Sequence, residues 1–180
     1  MDVTNETSVS NGTKQILERT GRLDVVINNA GVAALGVTEA FTISQIQRVF
    51  DVNFFGVARV NRSALTAMRR QGSGLLIHVS SAAGRAAVAY FGIYCASKFA
   101  LEALADSYRF ELAPFGVDSV VVEPGIHRTS ILETFQVPDD ESRVAEYGAD
   151  ASLSRVEAVF DGANASPETP GASEVAEAAL

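Results

Sequence analysis

Leu75-Leu76-Ile77-His78-Val79-Ser80 is the run on which the fold turns. Leu75, Leu76, Ile77 and Val79 make it a nearly continuous apolar segment, with Gln71-Gly72-Ser73-Gly74 before it and Ser81 after it. An uninterrupted apolar run of this length between turn residues reads as a buried strand. Two similar runs lie on either side. Leu23-Asp24-Val25-Val26-Ile27 meets the turn-forming cluster Asn28-Asn29-Ala30-Gly31, and Asp118-Ser119-Val120-Val121-Val122 meets Glu123-Pro124-Gly125. The first of these reads as a strand covered on both faces.

Helical signals separate the strands. Ser8 or Ser10 can open a polar helix that Gly21 stops. Thr42-Ile43-Ser44-Gln45 matches a capping box. After it, Ile46, Val49, Phe50, Phe54, Val57, Val60, Ala64, Leu65 and Met68 recur at helical spacing as far as Gln71. A further helix is expected from Tyr94 to Ala113, ended by Pro114 and Gly116. Strand, helix, strand, helix, strand predicts right-handed crossovers and an α/β fold with a doubly wound parallel sheet, centred on Leu75–Ser80. The carboxyl ends of such strands are where these sheets bind ligands. Beyond Thr129, segments 143–147 and 153–160 suggest short helices, 163–171 a loop, and Ser173 the cap of a last helix.

Composition narrows the function. A chain of 180 residues with 47% hydrophobic content suits one domain over 1–180. A net charge of -8 argues against a nucleic-acid partner. Cys95 is the sole cysteine, and His78 and His127 are the only histidines, so no metal site is expected. No apolar run reaches the ~18 residues of a membrane span. With no signal segment at the start, the expected compartment is the cytoplasm.

Tyr94 and Lys98 lie four residues apart and share one helix face. A phenol titrates near ~10, and lowering that by about 3 units takes roughly 4 kcal/mol. An adjacent ammonium works in that direction, so the pair is a candidate general acid/base. Ser81, 13 positions before Tyr94, can hydrogen-bond a carbonyl oxygen at the end of the middle strand. Asn53 is a poor helix former inside an apolar helix, which draws attention to it. Ser80 reads as a strand end without chemistry, His78 as a packing histidine and Cys95 as a passive small side chain.

Taken together, Asn28-Asn29-Ala30-Gly31, Asn53 within Asp51–Gly56, Ser80-Ser81-Ala82-Ala83-Gly84, Tyr94-Cys95-Ala96-Ser97-Lys98 and Pro124–Thr129 resemble the short-chain dehydrogenase/reductase family. The resemblance implies a Rossmann-like domain that interconverts an alcohol and a carbonyl with NAD or NADP. By it, Tyr94 is the acid/base and Ser81 orients the substrate oxygen. Lys98 binds the nicotinamide ribose and depresses the Tyr94 pKa, and Asn53 holds a relay water. Asn29, Ala30 and Gly31 would border the cofactor ribose, with Asn28 structural. Pro124, Gly125, the backbone at His127 and the Thr129 hydroxyl would meet the nicotinamide half. Asp2 and Val3 would lie at the adenine, and 129–171 would form the substrate side. A small-molecule alcohol or ketone is the expected partner, and the apolar loop Arg85–Ile93 suits a hydrophobic one. A dimer or tetramer, without membrane attachment, is the expected full-length form.

The glycine-rich turn Thr-Gly-x-x-x-Gly-x-Gly of the family does not occur in the sequence. The chain is therefore expected to be a fragment lacking that turn and a last strand, with an incomplete sheet whose inner edge is open. It is expected to bind dinucleotide poorly and to have little or no dehydrogenase activity. The rival expectation is a non-catalytic subunit that pairs with full-length family members.

Overall fold

The computed structural model describes residues 1–125, 127, 135–148, 173 and 177. Its elements in chain order are α1 (Glu6–Thr20), β1 (Val25–Asn28), α2 (Ile43–Phe50), α3 (Val57–Gln71), β2 (Gly74–Val79), α4 (Gly92–Leu112), β3 (Val117–Val122) and α5 (Glu141–Glu146). The sheet is parallel throughout, in the order β1-β2-β3. Val26 stands opposite Leu76, and Leu76 opposite Ser119. The expected α/β class and the central place of the Leu75–Ser80 run are therefore present.

Local chemistry sets the element ends. The cap of α1 is neither serine but Asn5, whose side chain accepts from the Ser8 amide at 2.8 Å. Asn5 wins because an Asx side chain here satisfies a free helix donor while Ser8 lies inside the first turn. Gly21 ends α1 in the left-handed conformation, φ 74°. Thr42 and Gln45 form the expected capping box. The long helix expected from Gln45 is broken: Asp51–Gly56 is a π-helical turn between α2 and α3. Such turns widen a helix to admit a side chain for special use, and Asn53 occupies this one. Ser173 is itself helical rather than a cap. The segments expected at 153–160 and 163–171 lie outside the described residues.

One face of the sheet is covered. Val26, Leu76 and Val117 pack with Val9 of α1, Val60, Ala64, Leu65 and Met68 of α3, and Leu112 of α4. Ser119 turns to the same side and donates to the Ala105 carbonyl of α4 at 2.9 Å. On the other face Val25, Ile27 and Val120 stay 45%, 53% and 43% exposed. The expectation that the first strand is covered on both faces is thus corrected. Alternation in β1 and β3 buries only every second side chain. The covered face also holds a polar layer: Asn28 donates to Asn61 Oδ1 at 2.9 Å, and His78 stacks on Tyr108.

Candidate active site

The three strands release their chains at one edge. From β1 comes Asn29-Ala30-Gly31, from β2 Ser80-Ser81, and from β3 Pro124-Gly125. The edges are tied together: the Ser80 amide donates to the Val122 carbonyl at 2.8 Å, and the Ala82 amide to the Pro124 carbonyl at 2.9 Å. Helix α4 crosses this edge with Tyr94, Ser97, Lys98 and Glu102 all buried.

Ser81 is held by a local turn. Its backbone is extended, and its hydroxyl accepts from the Ala83 amide at 3.1 Å, capping the 3₁₀ turn Ala82–Gly84. The Ser81 side chain also acts on the Tyr94 phenol, favouring its ionised form. The Tyr94 ring packs among Ala33, Leu35, Phe91 and Cys95, with Phe135 against them. Burial pushes the phenol pKa up, and the Ser81 side chain only partly opposes it. The expected lowering by Lys98 is not realised in this arrangement. The ammonium lies 5.7 Å from the ring centroid and donates to the Val79 carbonyl at 2.9 Å. Burial also lowers the Lys98 pKa, to about 8, opposed by the charge of Glu102.

Asn53 is buried, with 1% of it exposed. Its Nδ2 donates to the Val32 carbonyl and to Ser97 Oγ, and its Oδ1 accepts from the Val32 amide, each at 2.9 Å. Ser97 in turn donates to the Tyr94 carbonyl at 2.7 Å. The side chain therefore clamps the strand-end loop to α4. This role, and the part of Ser97 in it, went unread in the sequence. The signal was available: a hydroxyl three residues after Tyr94 must face the same buried side.

The remaining expected residues fall in two groups. Gly31 lies at the centre: a Cβ placed there would sit 3.5 Å from Asn53 Oδ1 and 3.7 Å from Lys98 Nζ. Asn29 and Ala30 are exposed beside it, and Gly125 opens onto free space. The His127 ring folds back on the Gly125 carbonyl at 3.1 Å, and Thr129 lies outside the described residues. Asp2 and Val3 are elsewhere. The Asp2 carboxylate accepts from the Thr4 hydroxyl and amide, while Val3 packs on Gly56 and accepts from Arg59. The Thr4 bonds, side chain first, hold Asp2 below the ordinary carboxylate range. Among the described residues, neither Asp2 nor Val3 touches Tyr94 or Lys98. Cys95 is buried and His78 is packed in the core, as read. Asn28 is structural through Asn61.

Comparison with known proteins decides the family. The family model described as short chain dehydrogenase matches residues 1–139. The chain belongs to the short-chain dehydrogenase family. It is 35% identical over 153 residues to 3-ketodihydrosphingosine reductase of Bacteroides thetaiotaomicron, covering 85% of this chain and 56% of that protein. It is 33% identical over 155 residues to retinol dehydrogenase 8 of Bos taurus, covering 82% and 50%. Among solved structures, a short-chain dehydrogenase/reductase from Burkholderia phymatum in complex with NAD superposes with TM-score 0.80 at 29% identity, covering 98% of this chain and 63% of that one. ElxO with NADP bound gives 0.71 at 29% identity, covering 74% and 54%. The chain thus spans about half the length of the curated relatives it matches. Among the described residues, no helix is long and apolar enough to cross a membrane, and no three His, Cys, Asp or Glu side chains cluster as metal ligands.

Proposed function

We propose that this chain carries the catalytic centre of a nicotinamide-dependent oxidoreductase that interconverts an alcohol and a carbonyl. The observation that supports it most is Tyr94, buried at the strand ends with the half-buried Ser81 acting on its phenol and the Lys98 ammonium 5.7 Å from its ring centroid. The residues present fit the nicotinamide half of NAD or NADP. Lys98 spends one proton on Val79 and keeps two for ribose hydroxyls. Asn29, Ala30 and Gly31 leave the approach free of bulky side chains. When bound, the nicotinamide supplies or accepts the hydride.

The protein's own share is one proton and one orientation. Ser81 donates to the substrate oxygen, and Tyr94 delivers its proton there as the carbonyl is reduced. Burial holds the Tyr94 pKa up, so the phenol carries the proton that carbonyl reduction needs. Asn53 holds the Gly31–Val32 loop in register with α4, and a water at Asn53 would carry protons on from Lys98. The substrate class we assign is an apolar alcohol or ketone. Supporting this are the loop from Ala86 to Phe91, where Val88 is 53% exposed, and relatives whose names refer to a retinol and a ketodihydrosphingosine.

Steady-state rates with NADH and NADPH at millimolar concentration, against apolar ketones, test this reading. Ketone-dependent oxidation lost in Tyr94→Phe supports it. A second reading, a non-catalytic subunit that pairs with family members, is favoured by Phe99 and Phe110 standing exposed on α4, at 44% and 78%. Mixed oligomers in size-exclusion chromatography, without ketone-dependent turnover, would favour it.

A further inference from the structure

Glu102 lies one turn beyond Lys98 on α4, and only 3% of it is exposed. Among the described residues, neither carboxylate oxygen has a hydrogen-bond partner. A buried carboxylate costs several kcal/mol unless cations compensate it. Two cations are placed to do so. Arg85 Nη2 approaches Oε2 at 3.1 Å from the loop after β2, and Lys98 shares the buried helix face. The loop comes unusually close. A Cβ on Gly84 would lie 2.6 Å from Ser80 Oγ and 2.9 Å from Glu102 Oε1, so any side chain there would push the turn or these groups apart. Among the described residues, Ser80 Oγ is buried without a partner. Arg85 also pairs with Glu123 at the end of β3 at 2.9 Å, and it feels Asp106 on α4.

We propose that Glu102 is a positioning residue of the Tyr94 site: it fastens the Ser81 loop to α4 through Arg85 and supplies the buried counter-charge to Lys98. The two effects converge. Ser81 is four residues before Arg85, and its hydroxyl must stay within reach of Tyr94. Lys98 must stay an ammonium although it is surrounded by protein, and Glu102 opposes the lowering that burial imposes. The groups facing Glu102 are Arg85 from the loop and Lys98 from its own helix, while Glu123 from β3 competes for Arg85. The catalytic meaning rests on the proposed function, but the charge coupling does not.

The chain has only two lysines, Lys14 and Lys98. Lysine Cε resonances of the ¹³C-labelled full chain can therefore be titrated individually, with Lys14→Arg giving the assignment. In the unsubstituted chain Lys98 is expected to titrate near about 8. Glu102→Gln should lower that midpoint by about one pH unit. Arg85→Gln removes positive charge and keeps Glu102, so the midpoint should hold or rise, while amide exchange at 82–86 speeds up at least tenfold. An unchanged Lys98 midpoint in Glu102→Gln overturns the proposal. If Glu102→Gln does not fold, Arg85→Gln decides: a falling midpoint or unchanged loop exchange overturns it. A chain without dehydrogenase activity would still give these readings, so failure here is distinct from failure of the proposed function.

Discussion

Replacing Asn53 by alanine isolates the clamp that joins the strand-end loop to the Tyr94 helix. Asn53 makes three hydrogen bonds at 2.9 Å, two to the backbone of Val32 and one to Ser97 Oγ. Ser97 survives the loss, because its own proton still reaches the Tyr94 carbonyl at 2.7 Å. The Val32 N–H and C=O do not, and each orphaned buried group costs about 1–3 kcal/mol. Val32 is only half-buried, so water recovers part of this. Alanine returns roughly 0.5 kcal/mol through helix propensity. The net loss is on the order of 2–3 kcal/mol, a large fraction of a typical domain stability. With a urea slope of about 2 kcal/mol/M, the midpoint falls by roughly 1–1.5 M. Urea unfolding followed by far-UV circular dichroism measures it. Asn53→Asp should fall further, since it loses both donors and buries a charge. A midpoint within about 0.3 M of the native value would refute the clamp.

Three other outcomes follow from the same geometry. Burial holds His78 at about 4, against an ordinary 6.5; the unfolded chain takes up this proton first, so stability is full above about 6.5 and falls through about 4. At pH 5 the loss is about 2 kcal/mol, seen as a lower urea midpoint than at pH 7.5 and diminished in His78→Phe. Gly116 has φ +65° with the Gly72 carbonyl oxygen 2.3 Å from any added Cβ, so Gly116→Ala should cost about 3 kcal/mol and lower Tm by roughly 6–12 °C. Lys98 loses its proton at about 8, so the charged ammonium that the nicotinamide ribose would meet is present below that pH and lost above it. The reductive rate should therefore decline above about pH 8, and a profile flat from 7 to 10 would contradict the role given to Lys98.

Much of this was legible in the chain, for physical reasons. Apolar runs ending in turn residues located all three strands, and a Thr-x-x-Gln box fixed the start of α2. Helical spacing put Tyr94 and Lys98 on one face. What escaped the sequence depends on tertiary contact. The π-helical turn at Asp51–Gly56 has no periodicity of its own, since it exists to turn Asn53 inward. The bare sheet face with Val25 and Ile27 reads like a buried one, because composition does not record which side receives a helix. Asn53 and Arg85, which meet Ser97 and Glu102, come from segments distant in sequence. The upward pKa shift of Tyr94 reflects how deeply Ala33, Leu35 and Phe91 enclose it, which residue order does not state.

The central claim is that Tyr94 handles the proton in a nicotinamide-dependent reduction. Its most direct measurement is the ketone-dependent rate of NADH and NADPH oxidation by the chain and by Tyr94→Phe, both at millimolar cofactor and pH 7. Phenylalanine keeps the ring packing and removes only the hydroxyl. Turnover is expected to be measurable and to fall by about 10²–10⁴-fold in the variant, with an unchanged urea midpoint. Equal rates in the two proteins would contradict it.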